Sequence, residues 1–184
     1  VKKLGPFPHL TLIEADFLGL DLEKTLGAGK WKVVANLPYN IATEAVFKLL
    51  ENSHLFSALT LMVQREVANR FVAGPGSKDY GLLAIFTQIF SKNRIVLKLP
   101  PGAFTPPPKV DSAVVEFQIA QGVRYPIDHL PTFKKAVQTA FGQRRKMISN
   151  SLKKLGLDDP ALRQALEKSG IPPTARPEDL PIER

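Results

Sequence analysis

Signals for short strands and for helices alternate along the first two thirds of the chain, and this alternation most constrains the fold. The predicted strands are the apolar runs at 10–15, 31–35, 58–63, 95–99 and 112–119. The predicted helices are one capped by Thr43 and two at 65–72 and 80–90. Such alternation predicts an α/β fold, a mostly parallel sheet with helices on its faces. No helix signal separates the last two strands, so we expect them to pair antiparallel at one edge.

After Tyr125 and Pro126 only helix signals remain, at 130–141, 144–155 and 159–169. This change predicts two domains. Residues 1–123 carry the sheet, and residues 124–184 form a small all-helical domain.

Composition excludes several classes of protein. Of the 184 residues 44% are hydrophobic and 23% are charged, which is ordinary for a globular protein. The chain has no Cys, and its three His are scattered, so we predict neither disulfides nor a metal site. No apolar run approaches the roughly 20 residues of a membrane span. We therefore expect no membrane partner, and a reducing, cytoplasmic location fits.

The net charge of +8 is concentrated towards the end of the chain. Between 134 and 154 there is no acidic residue. The basic residues there are Lys134, Lys135, Arg144, Arg145, Lys146, Lys153 and Lys154. Such a run is either a solvated helix face or a surface that binds a polyanion, and the absence of acids favours the polyanion.

Ligands of open parallel sheets bind beyond the carboxyl ends of the strands. Asn36-Leu37-Pro38-Tyr39 follows the second predicted strand. Pro38 holds Leu37 extended, which can turn its carbonyl outward. Two oxygen acceptors, from Asn36 and Leu37, beside the flat ring of Tyr39 suit a planar base that carries an NH2 group. The alternative is a strand that simply ends in a turn.

Two other positions have similar alternatives. Asp16, with Phe17 after it, follows the first predicted strand, where an Asp is either a ligand or a turn former. Phe104 lies between rigid prolines and is either part of the core or a second plate that stacks on a base.

Six segments in order resemble the ribosomal RNA adenine dimethyltransferase family, in particular its bacterial small-subunit branch. They are Glu14-Ala15-Asp16-Phe17, Asn36-Leu37-Pro38-Tyr39-Asn40-Ile41, Met62-Val63-Gln64-Arg65-Glu66-Val67-Ala68, Tyr80-Gly81-Leu82 with Gln88, Phe104-Thr105-Pro106-Pro107-Pro108-Lys109-Val110-Asp111-Ser112, and Phe141-Gly142-Gln143-Arg144-Arg145-Lys146. The resemblance covers nearly the whole chain. It implies a Rossmann-like class I methyltransferase sheet followed by a small helical domain that docks on rRNA.

The resemblance also implies an activity, the S-adenosylmethionine-dependent dimethylation of N6 of two adjacent adenines in small-subunit rRNA, and a role in maturation of the small subunit. Asp16 and Phe17 resemble residues that hold the cofactor adenine, and Asn36 is also expected to contact the cofactor. Asn36 and the Leu37 carbonyl resemble the acceptors for the target amine. Tyr39 and Phe104 resemble the plates on either side of the target base. By charge, Arg144, Arg145 and Lys146 are the expected phosphate contacts.

The chain departs from the family in one respect. The family has a Gly-rich loop after its first strand and an acid after its second, and this chain has neither. We therefore expect an N-terminally truncated form that is itself inactive and does not bind the cofactor. Two other functions stay open. One is a non-catalytic rRNA-binding assembly factor, and the other is a large-subunit methylase of the macrolide-resistance type.

The family order of strands, 3-2-1-4-5-7-6, places two absent strands between those at 10–15 and 31–35. An unpaired edge on the apolar 31–35 strand invites pairing. Three outcomes are open for this edge. The 10–15 strand slides across and pairs with the 31–35 strand, another molecule covers the edge in edge-strand self-association, or a separate chain supplies the missing strands. We expect one of the first two.

Overall fold

The computed structural model describes residues 9–143 and 146–184, and within them the chain forms one four-stranded sheet. The strands are β1 Trp31–Asn36, β2 Phe56–Gln64, β3 Ser91–Leu99 and β4 Ser112–Ile119. Their order across the sheet is β1-β2-β4-β3. β1 runs parallel to β2, and β4 runs antiparallel to β2 and to β3. The predicted antiparallel pair at one edge is therefore confirmed.

The predicted strand at 10–15 is wrong. These residues have no strand conformation, and Leu10, Leu12 and Ile13 are at least half exposed. Alternating apolar residues form a strand only where a neighbouring strand pairs with them, and the described residues offer none. The expectation that this segment slides across to β1 is wrong as well, since β2 is the only strand paired with β1 in the described part of the chain.

Seven α-helices occur in the described ranges. They are α1 Leu22–Leu26, α2 Ala42–Glu51, α3 Arg65–Val72, α4 Leu82–Gln88, α5 Leu130–Phe141, α6 Ile148–Leu152 and α7 Asp159–Lys168. Short 3-10 turns lie at Ser53–Leu55, Pro101–Ala103, Lys153–Leu155 and Pro177–Asp179.

The helix predictions differ from this structure in three places. α1, which Asp21 caps, was not among the predicted elements. Thr43 is not the cap of α2, because the turn from Pro38 to Ile41 leads directly into the helix and no side chain caps it. Of the predicted helix at 144–155 only 148–152 is α-helical, followed by the 3-10 turn at 153–155, and residues 144–145 lie outside the described ranges.

The main core lies between one face of the sheet and helices α2, α3 and α4. Every second residue of the two central strands points into it, so Leu59 and Leu61 of β2 and Val115 and Phe117 of β4 are fully buried. Phe71 of α3 packs edge to face on Phe117, with ring centroids 5.5 Å apart. Each central strand therefore buries one face, because successive side chains of a strand point to opposite faces.

Polar side chains fix the carboxyl end of α3 to the elements that follow it. The Gln88 amide donates to the carbonyls of Ala73 (2.9 Å) and Phe71 (3.3 Å). Asn93 of β3 donates to the Phe71 carbonyl as well, at 3.0 Å. These bonds satisfy carbonyls that have no partner within the helix, and they hold α3 in place on the sheet.

A second buried cluster lies among the helices after residue 124, formed by Ala140, Ile148, Leu162, Leu166 and Ile171. Tyr80, which precedes α4, connects this part to the first core. Its side chain is fully buried, and its hydroxyl donates to the Leu180 carbonyl at 3.1 Å. Its ring packs edge to face on Phe141, and burial raises the pKa of the phenol above its usual range.

We expect Tyr80→Phe to lower the free energy of unfolding by about 1 kcal/mol at pH 7, the net contribution of one hydrogen bond. The raised pKa adds a pH dependence. The folded protein keeps the Tyr80 proton where the unfolded chain releases it, so this contribution is present below pH ~10 and declines above it. Urea unfolding at pH 7 and at pH 10.5 should therefore show a smaller difference between wild type and variant at the higher pH. The half-buried Tyr125 provides the control Tyr125→Phe, and an equal difference at both pH values would contradict the account.

Candidate active site

Asn36 to Tyr39 lie at the carboxyl end of β1, where the strand leaves the sheet. Asn36 is the last residue to pair with β2, and the Leu37 N–H donates to the Met62 carbonyl at 3.2 Å. The Leu37 side chain is buried, whereas Asn36 is exposed. Within the described ranges, neither the Asn36 side chain nor the Leu37 carbonyl has a hydrogen-bond partner. Both oxygens are therefore available to accept hydrogen bonds from a ligand.

Tyr39 is held by a residue of another strand. Its phenolic oxygen lies 2.6 Å from the hydroxyl oxygen of Ser112, the first residue of β4. Ser112 pairs with Gln64, the last residue of β2, because β4 runs antiparallel to β2. The beginning of β4 and the carboxyl ends of β1 and β2 therefore meet at the same end of the sheet.

The proline-rich connector that carries Phe104 joins β3 to β4 at this same end. Phe104 is half-buried, and its N–H donates to the Pro101 carbonyl at 3.2 Å. The far end of the connector is anchored to the start of α3. Arg65 forms an ion pair with Asp111 at 2.6 Å, and its N–H donates to the Asp111 carbonyl at 2.9 Å. The fold thus brings the connector to the end of the sheet where Tyr39 lies.

Asp16 and Phe17 lie in a turn that packs against α2. One Asp16 carboxylate oxygen accepts from the Leu18 N–H at 3.0 Å, so Asp16 forms the turn, which is one of its two sequence interpretations. Lys48 of α2 donates to the Leu18 carbonyl at 2.6 Å and lies 5.7 Å from the centre of the Phe17 ring. Among the described residues no hydrogen bond, ion pair or ring contact joins Asp16 or Phe17 to Asn36 or Tyr39.

Two lysines of the basic segment at 134–154 form ion pairs, so fewer of its charges are available to a polyanion than the sequence indicates. Lys134 pairs with Glu51 of α2 at 2.9 Å, and Lys153 pairs with Asp159 of α7 at 3.0 Å. The three other described lysines, Lys135, Lys146 and Lys154, are exposed and have no ion pair in the described ranges. The predicted phosphate contacts Arg144 and Arg145 lie outside the described residues.

Sequence reasoning assigned no role to Ser112, Arg65, Asp111 or Lys48. The first three stand in segments that carry the family resemblance, but nothing local shows which residues they contact. Their partners come from other elements, and only the folded chain identifies them.

In the described ranges no group of three or more His, Asp or Glu side chains is placed to hold a metal ion. None of the helices that the structure describes combines the length and the apolar character needed to cross a membrane.

Comparison with known proteins adds to this geometry. The family model for ribosomal RNA adenine dimethylase matches residues 1–184. The ribosomal RNA small subunit methyltransferase A of Syntrophotalea carbinolica is 46% identical over 168 residues, which cover 91% of this chain and 64% of that protein. Its counterpart from Geobacter sulfurreducens is 44% identical over 182 residues, with 96% and 66% covered. The chain thus spans about two thirds of the length of these curated relatives.

Two solved structures share the fold. A dimethyladenosine transferase from Plasmodium falciparum matches with a TM-score of 0.76 at 24% identity, covering 92% of this chain and 67% of that one. The 23S rRNA methyltransferase ErmE matches with a TM-score of 0.68 at 22% identity, covering 96% and 69%. The predicted α/β methyltransferase fold is therefore confirmed. The family match over all 184 residues, together with relatives of 46% and 44% identity, shows that the chain belongs to the ribosomal RNA adenine dimethylase family.

Proposed function

We propose that this chain is part of a methyltransferase that uses S-adenosylmethionine to dimethylate N6 of two adjacent adenines in the rRNA of the immature small subunit. In this proposal residues 1–123 carry the target pocket, and residues 124–184 dock on rRNA. The enzyme acts in the cytoplasm during small-subunit maturation. The observation that carries the proposal is the pair of unpartnered oxygen acceptors, Asn36 Oδ1 and the Leu37 carbonyl, at the end of the sheet where Tyr39 and the connector with Phe104 also lie.

These acceptors suit the chemistry of an adenine amine. The N6 lone pair is conjugated into the ring, which makes the nitrogen a poor nucleophile. Two acceptors that take both N–H bonds favour a tetrahedral nitrogen with a free lone pair. The backbone of Leu37 is held in place by its bond to the Met62 carbonyl. Stacking on Tyr39, with Phe104 on the other side, would hold an adenine outside its own stack of bases.

The cofactor fits the described residues only in part. When bound, it supplies an electrophilic methyl group on a positively charged sulfur. Asp16 is exposed, and an ionised carboxylate has further acceptor capacity beyond its bond from Leu18, so it can accept the amine of the cofactor adenine. Phe17 offers an apolar surface next to it. For the ribose and the methionine, residues 9–143 and 146–184 offer no Gly-rich loop after a strand.

We therefore expect residues 1–184 alone to show no measurable binding of S-adenosylmethionine in calorimetry at millimolar ligand. A methyltransferase of full family length serves as the positive control. A clean micromolar isotherm from residues 1–184 would contradict this expectation.

The partial fit of the cofactor favours a second function. Since the chain has the proposed target-side residues and exposed lysines, but cofactor residues for the adenine alone, residues 1–184 could bind rRNA without methylating it. This is the action of an assembly factor. The methylase of large-subunit rRNA is less favoured, because the two curated relatives described above are named for the small subunit.

Methyl transfer to immature small subunits, measured beside retention of the same particles on a filter, separates these functions. A chain of full family length that contains these residues should do both, whereas residues 1–184 should only bind. Methylation of large-subunit rRNA in preference to small-subunit rRNA, by the full-length chain, would overturn the proposal.

A further inference from the structure

Ser112 is a buried polar residue whose side chain, within the described ranges, forms one hydrogen bond, to a residue far away in the chain. Its side chain is fully enclosed, and its hydroxyl oxygen lies 2.6 Å from the phenolic oxygen of Tyr39, 73 residues earlier in the chain. Ser112 cannot move easily, because its backbone pairs with Gln64 of β2 and with Leu99 of β3. Its backbone is thus held between two strands, at the end of the sheet where Tyr39 lies.

We propose that Ser112 is a positioning residue, which fixes the ring of Tyr39 for stacking against the base that is methylated. This inference rests on the proposed function. The ring of Tyr39 is half-buried, and in the described ranges the bond to Ser112 is the hydrogen bond that its hydroxyl makes. Because that hydroxyl is at the far end of the side chain, one bond there restrains the direction in which the whole side chain points, and with it the position of the ring.

Ser112 also connects the position of Tyr39 with that of Phe104, the second residue proposed to stack on the base. Ser112 directly follows Asp111, whose ion pair and backbone bond to Arg65 anchor the end of the connector that carries Phe104. The same short stretch of chain therefore determines where the connector ends and where the Tyr39 hydroxyl is held. A shift of about 1 Å in a group that positions a substrate can cost about a hundredfold in rate.

The test is a pair of substitutions of equal shape, Ser112→Thr and Ser112→Val, in a chain of full family length that contains these residues. Both add the same volume to a buried site, but only threonine keeps the hydroxyl. We expect Ser112→Val to lower kcat for methyl transfer by about ten- to a hundredfold, with KM for the small subunit nearly unchanged, and Ser112→Thr to keep a kcat at least about tenfold higher than Ser112→Val. Equal kcat values for the two variants would overturn the inference.

Ser112→Ala and Tyr39→Phe provide a second measurement that does not depend on added volume. Each removes the same hydrogen bond, so each should lower kcat, and the double variant should be no slower than the slower single variant. Losses that multiply, or a wild-type kcat for Ser112→Ala in a folded protein, would overturn the inference. Asn36→Ala separates failure of the Ser112 role from failure of the proposed function. If Asn36→Ala lowers kcat about a hundredfold while Ser112→Ala keeps the wild-type kcat, only the role of Ser112 fails.

Discussion

Asn36→Ala, in a chain of full family length, is expected to lower kcat for methyl transfer about a hundredfold and to leave rRNA affinity nearly unchanged. The loss of one preorganised polar contact to a reacting group typically costs about 3 kcal/mol. Asn36 is exposed and its side chain has no hydrogen-bond partner in the described ranges, so the substitution removes no structural contact. Thermal unfolding should therefore be unchanged, and single-turnover kinetics with labelled cofactor measure the rate directly.

Asn40 is a matched control for this substitution, since it is an exposed asparagine in the same segment. Asn40→Ala should retain the wild-type rate. Near-wild-type turnover for Asn36→Ala would refute its role as an acceptor, and a loss of rRNA affinity equal to the loss of rate would assign it to binding instead.

Binding of rRNA should depend steeply on salt, because lysines and arginines release counterions from phosphates. With Lys134 and Lys153 paired to carboxylates, five basic residues of the segment remain, namely Lys135, Arg144, Arg145, Lys146 and Lys154. Five contacts predict a slope of log affinity against log salt of roughly −3.5 to −4.5. Reversal of Arg144, Arg145 and Lys146 to glutamate should flatten that slope by at least about 2.

The two paired lysines supply the control for the charge reversal. Lys134→Gln together with Lys153→Gln should leave the slope within about one of the wild-type value, because these cations already have carboxylate partners. If the reversal leaves the slope unchanged, or the paired lysines change it as much, the RNA surface lies elsewhere.

The sequence predicts well those helices and strands whose conformation depends mainly on their own residues. The apolar run at 58–63 lies within β2, and the helix of 130–141 has the predicted bounds. β3 shows the limit of this reasoning, because it begins at Ser91, four residues before the predicted Ile95. Among its first residues Lys92 and Arg94 are exposed, whereas Ser91 and Asn93 donate hydrogen bonds to the carbonyls of Thr87 and Phe71. Such polar residues give no strand signal.

The site depends on pairings across long stretches of chain, and there sequence patterns give no guide. Tyr39 forms a hydrogen bond with Ser112, which lies 73 residues later in the chain, and Lys134 pairs with Glu51, which lies 83 residues earlier. The segment at 10–15 shows the opposite error, a strand pattern without a neighbour to pair with. Asn36 and Tyr39 are candidates because they follow a predicted strand, and the family resemblance implies the same residues.

The two edges of the sheet differ in a way that limits how this chain can assemble. Along β3 lie Lys92, Arg94 and Lys98, together with an irregular register between Ile95 and Leu97, and both features discourage a further strand. β1 carries only one charged side chain, and its Val34 is 83% exposed.

Growth of a fibre from residues 1–184 alone needs two complementary edges on every molecule, and in the part of that chain which the structure describes only the β1 edge is receptive. Two copies that met through β1 would form a symmetric, antiparallel junction and a continuous sheet of eight strands. Both ends of that larger sheet would be the charged, irregular β3 edge. Assembly by strand addition would thus stop at a twofold symmetric dimer, because the charged β3 edge at each end of its sheet discourages a further strand.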